Sequence, residues 1–208
     1  MKYNNYYLRC FIFFSQRFKK NVILQNNMEQ FNIQLHDKEF QLYKKYSDIQ
    51  DNIVRVADSL NSVLGTQKDV VCLSVLNGAF MFTADVCKYL HCTPYVSFIK
   101  LASYRGVEST GAVDSLIGLD ISVEGKTLVI IEDIVDTGNT IEYLYNLCLE
   151  LHAKEIFVVS LLFKPDAYKK VVPIFSYAFE IPNDFVVGYG MDYNGLGRNL
   201  KDIYVVQK

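Results

Sequence analysis

The chain has 208 residues, half of them hydrophobic, with 21 Lys and Arg against 23 Asp and Glu and a formal net charge of −2. That length and apolar content suit one α/β domain with a substantial core and a small appended lobe. The near balance of charge gives no reason to expect a broad basic surface for nucleic acid or an anionic membrane, so any charged ligand must be met locally.

Residues 1–27 carry Lys and Arg but no acid, and their apolar patch from Leu8 to Phe14 is interrupted by Arg9. The patch is too short to span a bilayer, and no small-residue cleavage site follows it. Met28 then opens a stretch of ordinary globular texture. The expectation is a functional start at Met28, with 1–27 a non-native or disordered extension and 28–208 a single domain.

Ile53, Val56, Ala57, Leu60, Val63 and Leu64 recur at helical spacing and predict a first long helix. Val70 to Leu76 is a continuous apolar run ending at Asn77-Gly78, and Ala79 to Leu90 reads as a helix. Tyr95 to Leu101 is the next predicted strand. The polar, glycine-containing segment Ser103 to Ser115 exceeds the usual connection of ~4 to 6 residues and reads as a long loop. Leu116 to Val123 and Leu128 to Ile131, joined by Glu124-Gly125-Lys126, predict a strand pair. Ile141, Leu144, Tyr145, Cys148 and Leu151 mark one face of another helix. Ile156 to Phe163 reads as a buried strand, and Phe185 to Tyr189 and Ile203 to Val206 as shorter ones. Strands alternating with helices predict a mostly parallel sheet covered on both faces.

The five cysteines (Cys10, Cys72, Cys87, Cys92, Cys148) form no CxxC pair, and His36, His91 and His152 have no metal-ligand spacing. The plain reading is a reducing cytoplasm, with buried thiols acting as small hydrophobes and no structural zinc.

The chemistry concentrates in LVIIEDIVDTGNTI, residues 128–141, where an apolar run is followed by Glu132, Asp133 and Asp136. At an effective dielectric of 20 and roughly 6 Å, each like-charge pair repels by about 3 kcal/mol before screening. A cation, hydroxyl donors or water must offset that cost. Ligands of an open parallel sheet collect at the carboxyl ends of its strands, and this motif sits at such an end. Asp136-Thr137-Gly138-Asn139-Thr140 offers a bend, two hydroxyls and the unpaired N–H groups of a beginning helix, which are the parts of a phosphate cradle. An ordinary strand-to-helix turn with an Asp or Thr cap has the same composition. The adjacent acids favour a sugar phosphate, with ribose hydroxyls donating to Glu132 and Asp133.

VIIEDIVDTGNT resembles the signature of the type I phosphoribosyltransferases, which bind 5-phosphoribosyl 1-pyrophosphate (PRPP). EDIVDTG together with LNGAFMF, SYRGVESTG, LLFK and FVVGYGMDYNGLGR is similar to the hypoxanthine-guanine phosphoribosyltransferases, in family order from about Leu73 to Arg198. The resemblance implies a parallel sheet flanked by helices and a small hood built from terminal segments. It implies transfer of the phosphoribosyl group to N9 of hypoxanthine or guanine, giving IMP or GMP and pyrophosphate. It further implies Mg²⁺ held mostly through substrate and water, a cytoplasmic location, and a homodimer or homotetramer with the pyrophosphate loop near the interface.

By the same resemblance, Glu132 and Asp133 hold the ribose 2′- and 3′-hydroxyls, Asp136 is the general base beside purine N7, and Thr137, Gly138, Asn139 and Thr140 wrap the 5′-phosphate. Leu76, Asn77 and Gly78 form the pyrophosphate loop, with a cis peptide between the first two. Asn77 stands where many relatives have lysine, which puts the role of that side chain in doubt. Ser103 and Tyr104 belong to a lid that keeps water from the oxocarbenium-like ribosyl centre. Lys164 binds the purine O6, although a lysine at a strand end is most often solvated. Phe185 stacks on the purine, Val186 reads its six-membered ring through the backbone, Asp192 lies near the metal and base edge, and Arg198 meets pyrophosphate. Read alone, Asn77-Gly78 is also a tight turn, 103–115 a polar loop and 185–189 a core strand.

Two other classes fit less well. A PRPP-sensing regulator that binds nucleic acid needs a basic surface and often another domain, neither of which is evident. A dinucleotide-binding protein needs GxGxxG in a strand-to-helix turn, and Gly195-Leu196-Gly197 is only a fragment.

Overall fold

The computed structural model describes residues 32–101 and 115–207. In chain order the elements are β1 (Asn32–Leu35), β2 (Lys38–Lys44), α1 (Tyr46–Leu64), β3 (Val70–Val75), α2 (Phe80–Tyr89), β4 (Tyr95–Leu101), β5 (Ser115–Ile117), β6 (Thr127–Val135), α3 (Asn139–Glu150), β7 (Glu155–Phe163), β8 (Ser176–Glu180), β9 (Val186–Val187) and β10 (Ile203–Val206). The larger sheet has the order β5-β4-β3-β6-β7-β8. Its strands β4, β3, β6, β7 and β8 run parallel, and β5 is antiparallel to β4 at one edge. A second, antiparallel sheet, β1-β2-β10-β9, joins residues from both ends of the described chain and forms the hood.

Alternation along the central strands divides the core in two. Cys72, Val129, Ile131, Val159 and Leu161 face Ile49, Ile53, Val56 and Leu60 of α1 and Phe82 and Val86 of α2. Val71, Leu73, Leu128, Ile130 and Val158 face Ile141, Leu144 and Cys148 of α3. Each such aliphatic side chain contributes roughly 1.5 to 3 kcal/mol by leaving water. The hood has a small core of its own, Ile33, Phe40, Val187 and Tyr204.

The parallel sheet matches the sequence expectation, but several boundaries differ. The predicted pairing of Leu116–Val123 with Leu128–Ile131 does not form. β6 is paired with β3 on one side and β7 on the other, so it has no free edge there, and β5 pairs with β4 instead. Leu119, Ile121 and Val123 pack against the α3-side core outside any strand. α1 begins at Tyr46, seven residues before its predicted start; no side chain of the preceding Lys45 caps it, and Asp202 of the hood accepts the Tyr46 N–H at 2.7 Å. The predicted strand at 185–189 shrinks to Val186–Val187, because Gly188 (φ +95°) and Tyr189 (φ +48°) turn out of the extended region. The expectations for 1–27 and for the segment 103–115 fall outside the described residues, apart from Ser115 in β5.

Candidate active site

β6 outruns its neighbour. Its pairing with β3 ends at Ser74 and Ile131, whereas its pairing with β7 continues to Val135 and Phe163. Glu132 and Asp133, read from the sequence as following the strand, are therefore part of it, on an edge that β3 has vacated. The chain leaving β3 turns at once through Leu76, Asn77 and Gly78 into α2, and the Leu76–Asn77 peptide is cis. Gly78 is required where it stands, since a Cβ there would overlap the Asp133 carboxylate. Backbone and carboxylate meet with no side chain between them.

On the far side, α3 begins at Asn139 after Gly138, which is left-handed at φ +84°, and no side chain caps the helix. The first intrahelical bond near this end is from Glu142 N–H to the Gly138 carbonyl, at 2.9 Å. The N–H groups before it point outward with Thr137, Asn139 and Thr140, which are all exposed. A helix start of this kind, uncapped and exposed, can accept an anion.

These pieces enclose a cavity of about 710 Å³ lined by Leu76, Asn77, Gly78, Glu132, Asp133, Thr137, Asn139, Thr140, Asp192 and Arg198, with Val75, Leu101, Ile134 and Tyr143 completing the wall. Arg198 is held by Asp192 Oδ1 at 2.6 Å from Nη2 and by the Gly190 carbonyl at 2.8 Å from Nη1. Asp192 Oδ2 also accepts the Gly195 N–H at 2.6 Å. Among the described lining residues three carboxylates face a single guanidinium. Burial, then the charge of Asp133, pushes the Glu132 carboxyl well above the ordinary carboxylate range. Burial raises Asp133 too, against opposing hydrogen bonds and the Arg198 charge. No cation pairs with Glu132 among the described residues.

Among the described residues no three His, Cys, Asp or Glu side chains converge to hold a metal by themselves. The donor set fits Mg²⁺ that shares its coordination with substrate oxygens and water, as small hard cations commonly do.

A second cluster lies next to the cavity. Lys164, immediately after β7, is 7 % exposed, and its ammonium donates to Asp136 Oδ2 at 2.8 Å and Asn183 Oδ1 at 3.2 Å. Phe185 is 45 % exposed, its ring 5.7 Å from Tyr193 and 6.2 Å from Phe40. Val206 N–H donates to the Phe185 carbonyl at 3.0 Å, so the next pair, Val186 and Val205, is the one whose N–H and C=O groups point away from each other. β9 is the edge of its sheet, and the Val186 backbone groups face that open edge.

The structure thus gathers the expected loop, acid and helix-terminus residues around one cavity, with Gly138 buried behind its wall. Asp136, Lys164, Phe185 and Val186 do not line it. Ser103 and Tyr104 lie outside the described residues. Sequence reasoning missed Tyr143 and Asn183: the first lies off the helix face marked by Ile141, Leu144, Tyr145, Cys148 and Leu151, and nothing local to the second marks it.

The model of the phosphoribosyl transferase domain family matches residues 43–194. The chain is 30 % identical over 175 residues to the hypoxanthine-guanine phosphoribosyltransferase of Aquifex aeolicus, covering 84 % of this chain and 98 % of that one. It is 41 % identical over 136 residues to the Bacillus subtilis protein of the same name, covering 65 % and 76 %. Among solved structures, a hypoxanthine phosphoribosyltransferase from Staphylococcus aureus superimposes with a TM-score of 0.75 at 31 % identity, over 89 % of this chain and 95 % of that one. A hypoxanthine phosphoribosyl transferase of Trypanosoma cruzi gives 0.76 at 32 % identity, over 84 % and 95 %.

The buried acids carry a stability cost that can be measured. Because folding raises the Glu132 pKa, the fold holds the proton more tightly than the unfolded chain, and stability is lost as pH rises above the unfolded value of about 4.3. Glu132→Gln should therefore raise the Tm of chelator-treated, ligand-free protein by ~2 to 4 °C at neutral pH. The gain should vanish as pH falls to the unfolded value. A Tm below wild type throughout a pH series of melting curves would contradict this account of the acids.

Proposed function

The chain belongs to the phosphoribosyltransferase family, and from that premise we propose that it transfers the 5-phosphoribosyl group of PRPP to N9 of hypoxanthine and guanine, releasing pyrophosphate and salvaging the purine as IMP or GMP. The observation that carries this reading is the Glu132–Asp133 pair, the first buried and the second half-buried, set between the uncapped start of α3 and the close-packed Gly78 loop. A sugar bearing a phosphate on one side and a diphosphate on the other supplies what each part lacks. Its 5′-phosphate takes the N–H and hydroxyl groups of 137–140, its 2′- and 3′-hydroxyls donate to Glu132 and Asp133, and its pyrophosphate lies along Leu76–Gly78 towards Arg198. The planar fork of the guanidinium suits phosphate oxygens. Asn77 leaves the backbone donors of that loop in place.

The purine occupies the neighbouring cluster. Phe185 offers an exposed ring face to stack on, the Val186 backbone groups read the six-membered ring, and Lys164 donates to O6. Glu132, Asp133 and Asp192 would hold Mg²⁺, mostly through substrate and water, with Asp192 also near the base edge. Lys164 already touches Asp136, so the group that binds O6 also places the carboxylate beside N7. In the reaction the N9–C1′ bond forms as the bond from C1′ to pyrophosphate breaks, and Asp136 takes the proton from N7. Such general-base help is typically worth ~10² to 10⁴ in rate. Mg²⁺, when bound, neutralises charge on the departing pyrophosphate. The segment containing Ser103 and Tyr104 serves as the lid in this reading.

We also propose a cytoplasmic homo-oligomer, a dimer or tetramer. The cysteines at 72, 87, 92 and 148 are free thiols, which suits a reducing compartment. No helix among the described residues is long and apolar enough to cross a membrane. Phe80, which follows the pyrophosphate loop, and Tyr89 of α2, with Val96 and Phe98 of β4, are exposed apolar side chains that a second copy would cover. Sedimentation should show a dimer or tetramer at micromolar concentration, and a monomer there would refute the assembly.

The enzymatic reading is tested by offering purified protein PRPP and Mg²⁺ with hypoxanthine, guanine, adenine or uracil. IMP and GMP should form, and the adenine and uracil nucleotides should not. Asp136→Asn should lose most turnover, ~10² to 10⁴-fold, while still binding IMP. No turnover with any base, in protein that binds PRPP, would favour a sensor instead.

A further inference from the structure

Tyr189 lies between Gly188 and Gly190, is 1 % exposed, and holds a left-handed backbone at φ +48°. A bulky residue there is uncommon and calls for a compensating interaction. Its hydroxyl donates to Asp85 Oδ2. Gln50 Nε2 of α1 donates to the same oxygen at 2.9 Å and to the Tyr189 hydroxyl at 3.2 Å, and Lys88 Nζ holds Asp85 Oδ1 at 2.5 Å. Burial, then the hydrogen bond to Asp85, keeps the phenol far above its ordinary pKa, so it remains a donor at any working pH. Tyr189, Asp85 and Gln50 all lie off the cavity wall.

Both ends of this link reach the cavity. Asp85 is on α2, the helix that grows directly out of Leu76–Gly78. On the other side, Gly190 sits so close to that loop that a Cβ would overlap the Gly78 carbonyl oxygen. Gly190 N–H donates to the Arg198 carbonyl at 3.0 Å, and the Gly190 carbonyl accepts the Arg198 guanidinium at 2.8 Å. Tyr189 N–H is tied to the Leu200 carbonyl at 2.8 Å. The phenol therefore fastens the segment that bears Asp192 and Arg198 onto the helix that carries the pyrophosphate loop.

We propose that Tyr189 and Asp85 are positioning residues for the pyrophosphate end of the site: their hydrogen bond sets how Arg198 and the Gly78 loop face each other, and so governs affinity for the diphosphate-bearing substrate without governing affinity for the purine. This rests on the reading of the cavity as a PRPP site. Small misplacements of a binding group suffice for large losses, so the effect should be roughly tenfold or more.

The test is Tyr189→Phe, which removes one oxygen and keeps the buried ring. Relative to wild type, the KM for PRPP and the Kd for magnesium pyrophosphate should rise about tenfold or more, while the KM for hypoxanthine and the Kd for IMP, which carries no diphosphate, stay within about twofold. Asp85→Ala should show the same split, and the double variant should be no worse than either single one, as expected for two halves of one interaction. Should Asp85→Ala not fold, Tyr189→Phe decides alone. Unchanged PRPP and pyrophosphate constants, or an equal loss for IMP and pyrophosphate, would overturn the proposal. Failure of the wild-type protein to bind PRPP would instead overturn the functional reading on which it rests.

Discussion

Two adjacent carboxylates stand at the end of the central strand with no cation paired to the inner one among the described residues. The rest of the site depends on that arrangement. Glu132 accepts the Asp133 N–H and Asp133 accepts the Ile134 N–H, but two neighbouring carboxylates with so little cationic compensation lose solvation and repel each other, so in the ligand-free chain they are a local destabilisation kept by a well-packed core around them. The core can bear it: Val129, Ile130 and Ile131, which lead into the pair, are fully buried between two strands and two helical layers. In the proposed reading, a substrate presenting two hydroxyl donors adds to the backbone donors these carboxylates already have.

The surrounding geometry follows from where strands stop. Because the β3–β6 pairing stops at Ile131, four residues before β6 ends at Val135, a gap opens in which backbone from 76–78 and the Asp133 carboxylate come close together. The side-chain-free approach at Gly78 keeps that gap narrow. The α3 terminus closes the other side, so the carboxylates lie between the 76–78 loop and the start of a helix, the arrangement on which the proposed ribose site rests. Arg198, braced by Asp192 and by the Gly190 carbonyl, is the charged part of one wall.

Much of this was legible in the sequence, for a physical reason. Contiguous chemistry such as Glu132-Asp133 followed by Asp136-Thr137-Gly138 survives as a local string, and the apolar runs of β3, β4 and β7 are long enough to be found by hydrophobicity alone. What stayed hidden depends on pairing across the chain. The predicted hairpin before β6 failed because both of its edges were already taken, which no local pattern reveals. The pairing of hood strand β2 with β10 and the capping of α1 by Asp202 join residues about 160 positions apart, beyond the reach of periodicity. Lys164 looked like a solvated strand end, and its burial against Asp136 and Asn183 became visible only in three dimensions. Tyr189 read as one more residue of a core strand, whereas its turn out of that strand ties two parts of the site together.

The central claim, that ribose hydroxyls are the partners of the Glu132–Asp133 pair, is tested most directly by calorimetric titration of the wild-type protein with IMP and with its 2′,3′-dideoxy counterpart. Each hydrogen bond to a charged group is worth about 1.5 to 3 kcal/mol, so removing both hydroxyls should weaken binding roughly 10² to 10⁴-fold. Equal affinity for the two nucleotides would contradict the claim and leave the buried acids without the role assigned to them.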